Sequence, residues 1–418
     1  AKGGELGGNG GQVETSSHGN LQAFGSVNAS AKKGKAGNWL LDPLDITIVS
    51  TDSTNVTEES DSSGMAFSPT ASGSQVSNTS INNELNNGTS VTILTSSQTA
   101  GSNQAGNITV NADISKTQGA NASLTLKADG NITVNKNITS TNGTLNITLL
   151  GAGNSSGRIQ VLNSTLNSNG GNITIDRLQS GDSNALTVKV LNSTLNARNT
   201  SGSSGSSGSS GNITINAYNP NVNLNASEYY NTVRNSGALL EVNNSNITAD
   251  HVTLTGTQQG SNSKHLPVYL NNATVNATNN ITLTGNSSNS SQAVHLELRG
   301  NNNLTAQNGS IFISNNMSSG TGVYLNGTNG TINLTAGQDI NITGNGNKIG
   351  VNITNASFNA SQAHIHGQST SGNGFVLKNL NLTGNVANFS NVTLSSNGSG
   401  SSVTNRIDGG VLTTNTAL

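Results

Sequence analysis

The sequence Gly-Asn-Ile-Thr-Val occurs at residues 106–110 and again, unchanged, at residues 130–134. Residues 171–175 and 211–215 repeat it with Ile in the last place. Apolar and polar residues alternate within each copy, and Gly or Asn bounds it, which is typical of a short β-strand. No stretch shows a sustained helical period. We therefore predict an all-β chain built on this unit.

Longer repeats overlie the short one. The string Val-Leu-Asn-Ser-Thr-Leu-Asn at 161–167 recurs at 190–196, and similar strands begin at Gly322, Gly350 and Gly374. Internal periods of roughly 20 to 50 residues without helices indicate a β-solenoid. We predict a single-stranded, right-handed parallel β-helix with extruded loops. Coils of about 19 to 30 residues would give roughly 15 to 20 rungs.

The composition agrees with a thin rod. Only 9% of the 418 residues are charged and 31% are hydrophobic, whereas 71 are Asn and 106 are Ser or Thr. Disorder is the alternative, but disordered chains are usually charged and poor in β-branched residues. The net charge of -2 gives no basis for binding nucleic acid or an anionic membrane. The chain has no Cys, which excludes disulfides and thiolate metal sites.

Three regions are expected along the chain. Residues 1–50 form β-helix coils, residues 51–105 a variable region rich in Ser, Thr and Asn, and residues 106–418 a repetitive β-helix with a Ser/Gly loop at 201–211. No apolar run is long enough to insert into a membrane, and no signal peptide precedes Ala1. We expect a processed or excised piece of a longer chain.

The sequon Asn-x-Ser/Thr occurs 38 times, whereas about 18 of the 71 Asn would carry one by chance. In an Asn-Ile-Thr strand, burial of Ile projects Asn and Thr outward, where a glycosyltransferase could reach them. The alternative is that Asn and Thr only form stacked ladders and turns. The predicted glycosylation sites are Asn28, Asn107, Asn131, Asn137, Asn142, Asn146, Asn163, Asn172, Asn192, Asn212, Asn246, Asn276, Asn280, Asn303, Asn333, Asn341, Asn352, Asn381 and Asn391.

Other candidate sites are sparse. Acidic residues are scattered, with no spacing that would place two on adjacent rungs of one face, so we predict no catalytic residue and no cofactor. His364 and His366 could form half of a metal site, but paired surface histidines are the simpler interpretation, and no metal is predicted. Tyr229 and Tyr230 are the candidate ligand contacts, because tyrosines can stack on sugars; a loop packing back onto the rod is the alternative.

The N-terminal residues resemble a known family. Gly-Gly-Gln-Val-Glu-Thr-Ser-Ser at 10–17 and Gly-Asn-Trp-Leu-Leu-Asp-Pro at 37–43 resemble a block of filamentous-haemagglutinin-like exoproteins of two-partner secretion. With the many sequons, the chain is most similar to the high-molecular-weight adhesins of Haemophilus. The resemblance implies a cytoplasmic N-glycosyltransferase, an outer-membrane two-partner-secretion pore and host cell-surface glycans or glycoproteins as partners, and a secreted protein at the bacterial cell surface.

Three functions are consistent with these observations. The first is a segment of an N-glycosylated adhesin that attaches to host epithelial cells through host glycans. The second is a passive β-helical stalk of a contact-dependent inhibition or haemopexin-binding exoprotein, because relatives of those kinds share the N-terminal block. The third is a β-helical enzyme acting on polysaccharides, which would need a carboxylate-lined cleft.

Overall fold

The computed structural model describes residues 1–16, 22–23, 25–42, 45–50, 56–61, 64–69, 74–95, 106–152, 157–178, 185–199, 210–220, 237–259, 266–287, 294–316, 320–387, 392–398 and 404–408. These residues form an all-β solenoid of about 10 turns, with parallel stacked coils and one short α-helix. The predicted parallel β-helical fold is therefore confirmed.

The predicted number of rungs was too high. Some coils are longer than 30 residues: Asn172 and Asn212 are 40 residues apart and on adjacent rungs, and Ser193 and Ser245 are 52 apart. Thirteen of the described strands stack on one face, so at about 4.8 Å per rung the rod is roughly 60 Å long.

The N-terminal coils are irregular. Strands β1 and β3 pair in parallel and continue into β8, while β5 and β6 form a separate antiparallel hairpin. The elements in chain order are β1 (Gln12–Ser16), β2 (Gln22–Ala23), β3 (Asn38–Asp42), β4 (Ile46–Val49), β5 (Val56–Asp61), β6 (Gly64–Pro69), β7 (Ser74–Ser77), α1 (Asn78–Asn86) and β8 (Ser90–Leu94).

Each central coil contributes one strand to each of the three faces of the rod. Those strands are β9 (Ile108–Val110), β10 (Ile114–Lys116), β11 (Ala122–Lys127), β12 (Ile132–Val134), β13 (Ile138–Ser140), β14 (Leu145–Gly151), β15 (Gly157–Leu162), β16 (Thr165–Asn167), β17 (Ile173–Arg177), β18 (Leu186–Leu191), β19 (Thr194–Asn196), β20 (Ile213–Asn219), β21 (Ala238–Asn243), β22 (Asn246–Ala249), β23 (Val252–Gln258), β24 (Leu266–Asn271), β25 (Thr274–Ala277), β26 (Ile281–Ser287), β27 (Val294–Arg299), β28 (Asn302–Ala306), β29 (Ile311–Ser314), β30 (Thr321–Asn326) and β31 (Ile332–Ala336).

The last coils have longer strands. One strand, β33, pairs with both β30 and β31 and so continues from one face to the next. The elements are β32 (Asp339–Gly346), β33 (Ile349–Asn359), β34 (Gln362–Ser369), β35 (Asn373–Thr383), a 3-10 turn (Gly384–Ala387), β36 (Val392–Gly398) and β37 (Thr404–Asp408).

Each face is a continuous parallel sheet. Face one runs from β1 through β3, β8, β11 and every third strand to β32, and then through β34 and β36. Face two contains β4, β9, β12 and their successors to β30, β33, β35 and β37, and face three runs from β10 to β31 and ends on β33 and β35. In-register pairing stacks like residues, for example Ile132 between Ile108 and Ile159. The core is therefore a set of Ile, Leu and Val columns.

The helix α1 was not expected from the sequence. Ser77 caps it by accepting from the Thr79 N–H, and Ile81 and Leu85 on one side are fully buried. Gly88 ends it with φ +75°, and the Thr89 N–H bonds back to the Glu84 carbonyl at 2.8 Å. These contacts form a Schellman cap. The serine cap, the Ile–Leu spacing of four and Asn-Gly at 87–88 were the signals, spread over too few residues to show a period.

Candidate functional site: asparagine columns on the rod

The candidate glycosylation sites lie on the outside of the rod. Of the 19 predicted Asn, all but Asn391 lie among the described residues, and none of those is buried. Eight are half-buried: Asn107, Asn131, Asn276, Asn280, Asn333, Asn341, Asn352 and Asn381. Ten are exposed: Asn28, Asn137, Asn142, Asn146, Asn163, Asn172, Asn192, Asn212, Asn246 and Asn303.

One column of Asn lies at the corner that enters face one. The Asn146 Oδ1 accepts from the Asn172 N–H at 2.9 Å, and the Asn172 Oδ1 accepts from the Asn212 N–H at 2.8 Å. The Asn212 Oδ1 accepts from the His251 N–H at 3.2 Å. Each carboxamide oxygen thus satisfies a backbone donor of the next rung where the chain turns a corner, a place where sheet pairing supplies no partner.

A second column lies at the start of face two. The Asp45 Oδ1 accepts from the Asn107 N–H at 2.6 Å, the Asn107 Oδ1 from the Asn131 N–H at 2.9 Å, and the Asn131 Oδ1 from the Arg158 N–H at 2.8 Å. Asp45 and Asn107 thus both accept, through Oδ1, a hydrogen bond from a backbone N–H of the next rung. A carbonyl-type oxygen is therefore what the position requires, and the amide nitrogen has no part in it.

We call six of the predicted glycosylation sites, which share this geometry, the corner-acceptor asparagines. In each, Oδ1 accepts from the next rung, and within the described part of the chain Nδ2 donates to no other atom. Nδ2 is the atom to which an N-linked sugar is attached. They are Asn107, Asn131, Asn137, Asn172, Asn212 and Asn280.

A different set of Asn forms a true ladder, at the corner between faces two and three. The Asn192 Nδ2 donates to the Asn163 Oδ1 at 3.2 Å, the Asn244 Nδ2 to the Asn192 Oδ1 at 3.3 Å, and the Asn272 Nδ2 to the Asn244 Oδ1 at 3.2 Å. All four residues have φ between 48° and 51°. Asn is the non-glycine residue best suited to this left-handed conformation.

The same corner continues along the rod. From the register of the flanking strands, Gly300 and Gly327 follow Asn272 in this column, and Asn355 and Asn379 come next. The Asn379 Nδ2 donates to the Asn355 Oδ1 at 2.9 Å. The ladder asparagines, as we name them, are Asn163, Asn192, Asn244, Asn272, Asn355 and Asn379.

Asn28 has a third arrangement, outside both columns. Its Oδ1 accepts from the Ser30 N–H at 3.1 Å and from the Ser30 hydroxyl at 2.7 Å. The hydroxyl residue of the sequon thus contacts the carboxamide of its own Asn. The other predicted sites on strands, such as Asn303 and Asn333 in register on face three, point outward by strand alternation.

Face one carries a flat column of threonines. Thr92, Thr125, Thr148, Thr174, Thr214, Thr253 and Thr282 follow one another in register and are half-buried. The next residue in the column is Phe312, which is 39% exposed. Sequence reasoning looked only at polar aromatics and so missed Phe312, whose ring on a flat polar surface is suited to stacking on a sugar.

Face two differs from the other faces in having buried residues on its outer side. Lys189, Glu241, Tyr269 and Glu297 lie in one outward column and are at most 9% exposed. The Lys189 Nζ lies 3.4 Å from Glu241 Oε2, and the Asn326 Nδ2 donates to Glu297 Oε1 at 3.3 Å. Glu241 and Glu297 are two rungs apart with Tyr269 between them. These carboxylates take part in packing and do not line an open groove.

The histidine pair and the two tyrosines are the other predicted candidates. His364 and His366 lie on the outer side of face one, and the His366 Nδ1 is 2.7 Å from the Ser395 hydroxyl. Among the described residues no group of three or more His, Asp or Glu could hold a metal ion, and no helix is long and apolar enough to cross a membrane. Tyr229, Tyr230, Asn391 and most of the Ser/Gly loop lie outside the described residues.

Comparison with known protein families and curated proteins found no match. No protein-family model matches the chain, and none of the curated proteins matches it.

Proposed function

We propose that this chain is an N-glycosylated β-solenoid segment of a secreted bacterial surface adhesin, which attaches to host epithelial cells through host glycans. The observation that carries the proposal is the set of corner-acceptor asparagines, whose Oδ1 is held by the rod and whose Nδ2 makes no hydrogen bond among the described residues. The long, thin solenoid fits a stalk that carries a contact surface away from the cell.

The partners follow from this proposal. A cytoplasmic N-glycosyltransferase adds hexoses at Asn-x-Ser/Thr, and an outer-membrane two-partner-secretion pore exports the chain to the cell surface. The resemblance of residues 10–17 and 37–43 to two-partner-secretion exoproteins supports this route. The low net charge and the many hydroxyl and amide groups are consistent with a surface that contacts neutral sugars.

Mass spectrometry of material from the native host tests glycosylation. The chain of 42.3 kDa should gain mass in whole hexose steps. An unmodified mass would remove glycosylation from the proposal. Protein made in a host without the transferase serves as the unmodified reference.

Adhesion is tested separately, with the isolated rod and cultured epithelial cells. We expect saturable binding that is reduced when cell-surface glycans are removed enzymatically. Replacing Phe312 by Ala should weaken binding, whereas Ser314→Ala, two residues along the same outward side, should not. Absence of binding would favour the passive stalk, in which a missing part of the parent protein carries the ligand site.

A further inference from the structure

We propose that two groups of sequons, set apart by the fold, have different fates. The corner-acceptor asparagines carry N-linked hexose in the folded rod, whereas folded molecules carry none on the ladder sequons Asn192, Asn272 and Asn355, because a hexose on their Nδ2 would displace a contact between rungs. This assignment rests on the glycosylation proposed above and states which sequons are modified. The sequence does not separate the groups, since both consist of Asn-x-Ser/Thr.

The residues that replace Asn along the acceptor columns show what those positions need. Asp113 takes the place of Asn and accepts from the Asn137 N–H at 2.9 Å. His251 accepts through Nδ1 from the Asn280 N–H at 3.3 Å, and Ser310 through Oγ from the Asp339 N–H at 3.2 Å. Carboxylate, imidazole and hydroxyl share only an acceptor atom. A sugar on the Nδ2 of a corner-acceptor Asn therefore leaves every column hydrogen bond in place.

The ladder positions have the opposite requirement. Asn192 both donates through Nδ2 to Asn163 and accepts through Oδ1 from Asn244. Asn355 likewise donates through Nδ2 to the Gly327 carbonyl at 3.1 Å and accepts from Asn379. Rungs are about 4.8 Å apart, so a hexose on such an Nδ2 would occupy the space of the neighbouring carboxamide. Asn163 is the first residue of the ladder, and its Nδ2 makes no hydrogen bond within the described residues. It therefore belongs with the sites that can be modified.

A matched pair of substitutions tests the assignment without any glycosylation. Asn→Asp keeps the Oδ acceptor, removes the Nδ2 donor and adds the same charge at either position. We expect Asn172→Asp to keep the unfolding midpoint within about 1 °C of the parent, and Asn192→Asp to lower it by more than about 2 °C. Equal shifts for the two variants would overturn the assignment. Both Asn172 and Asn192 are exposed, which makes the comparison fair.

Occupancy mapping tests the modification itself. The chain is co-produced with a bacterial cytoplasmic N-hexosyltransferase, and glycopeptides are quantified in the whole denatured pool and in the protease-resistant folded pool. At the corner-acceptor asparagines we expect equal occupancy in both pools. At Asn192, Asn272 and Asn355 we expect occupancy in the folded pool to be at least severalfold below that of the corner-acceptor group.

Two outcomes would contradict the assignment. One is hexose on the ladder sequons of the folded pool at the level of the corner-acceptor group. The other is a folded pool in which the corner-acceptor asparagines carry no hexose. Because the transferase is supplied, these outcomes are independent of the native host. A lack of hexose on chain from that host would count against the proposed glycosylation alone and leave the sorting in force.

Discussion

The N-terminal coils and the central rod satisfy the backbone N–H donors at their corners in different ways. In the rod, many corner donors are satisfied by an Asn or Ser of the neighbouring rung, and the next rung repeats the contact. In the first coils, single residues without copies do this work: the buried Glu84 accepts from the Val27 N–H, and Thr89 accepts from the Ala29 N–H at 2.9 Å. Repetition thus lets one kind of short polar side chain serve rung after rung, where an irregular coil uses a single Glu and a single Thr.

This difference has an energetic consequence. In a solenoid each rung contacts only its neighbours, so stability is roughly a sum of local terms. Losing one contact in the rod removes one of many similar contacts. Losing a single-copy group near the N-terminus removes the contact on which that coil depends.

The largest effect is expected at Trp39. Its side chain is 2% exposed, and its Nε1 donates to the Thr15 hydroxyl at 3.0 Å. Trp39→Ala should cost about 3–5 kcal/mol, because it removes a large buried ring. Hydrogen exchange should lose protection in β1, β3 and β8, while β20 to β32 stay protected. The matched rod variant Phe358→Ala should lose protection around β31, β33 and β35. A uniform loss of protection along the rod in either variant would contradict stability as a sum of local terms.

Lys116 should show a smaller loss. It is fully buried in β10, and its Nζ donates to the carbonyls of Gln118, Gly119 and Asn142 at 2.8, 3.1 and 2.6 Å. Lys116→Met leaves these carbonyls without their donor, and we expect a cost of about 1–3 kcal/mol in the free energy of unfolding.

Lys116→Ser is the control for that variant. Ser140, in register on the next rung, donates its hydroxyl to the carbonyls of Asn142 and Gly143. A serine at 116 should therefore retain part of what methionine loses in denaturant unfolding. If the serine and methionine variants unfolded alike, the hydrogen bonds of Lys116 would not be what stabilises this corner.

The effect of Glu84 should appear as a pH dependence. Burial raises the pKa of the Glu84 carboxyl above its ordinary 4.5, against the opposing hydrogen bonds from Val27 and Thr89. The folded protein thus holds this proton to a higher pH than the unfolded chain does. Stability contributed by the protonated carboxyl is full below 4.5 and declines as pH rises from there through the raised pKa.

Glu84→Gln removes this titration. Unfolding free energies measured from about pH 4 to 8 should decline less with pH in the variant than in the parent. Asp113→Asn, in a corner-acceptor column, serves as a control, because it alters a carboxylate without altering this buried site. Parallel pH profiles for parent and Glu84→Gln would refute the prediction.

The smallest effect is expected within the ladder, for Asn244→Gly; Asn244 is the middle residue of the sequon Asn243-Asn244-Ser245 and not its acceptor, so the sequon is kept. Asn244→Gly keeps the left-handed φ of 48° but loses two amide contacts between rungs, for a cost of roughly 0.5–1.5 kcal/mol. Asn244→Ala adds the left-handed backbone penalty of about 1–2 kcal/mol. Thermal unfolding should rank parent, Gly and Ala in that order, and an Ala variant as stable as Gly would exclude a conformational role for this corner.

The sequence predicted the rod and the outward direction of the sequons because both follow from strand alternation. Ile108 and Ile132 are buried, and Asn107 and Asn131 are not. It did not predict α1, which is too short to show a period, or the burial of Lys116 and Glu84, which depends on single long-range contacts. Nor did it predict which asparagines use their Nδ2 in a hydrogen bond. That depends on the register between rungs 24 to 52 residues apart, which no local pattern specifies.

Glycopeptide mapping of residues 1–418 from the native host tests the central claim most directly. We expect hexose on the corner-acceptor asparagines Asn107, Asn131, Asn137, Asn172, Asn212 and Asn280. Recovery of those six peptides without any hexose would contradict it, and would leave the columns as structural devices of an unmodified rod.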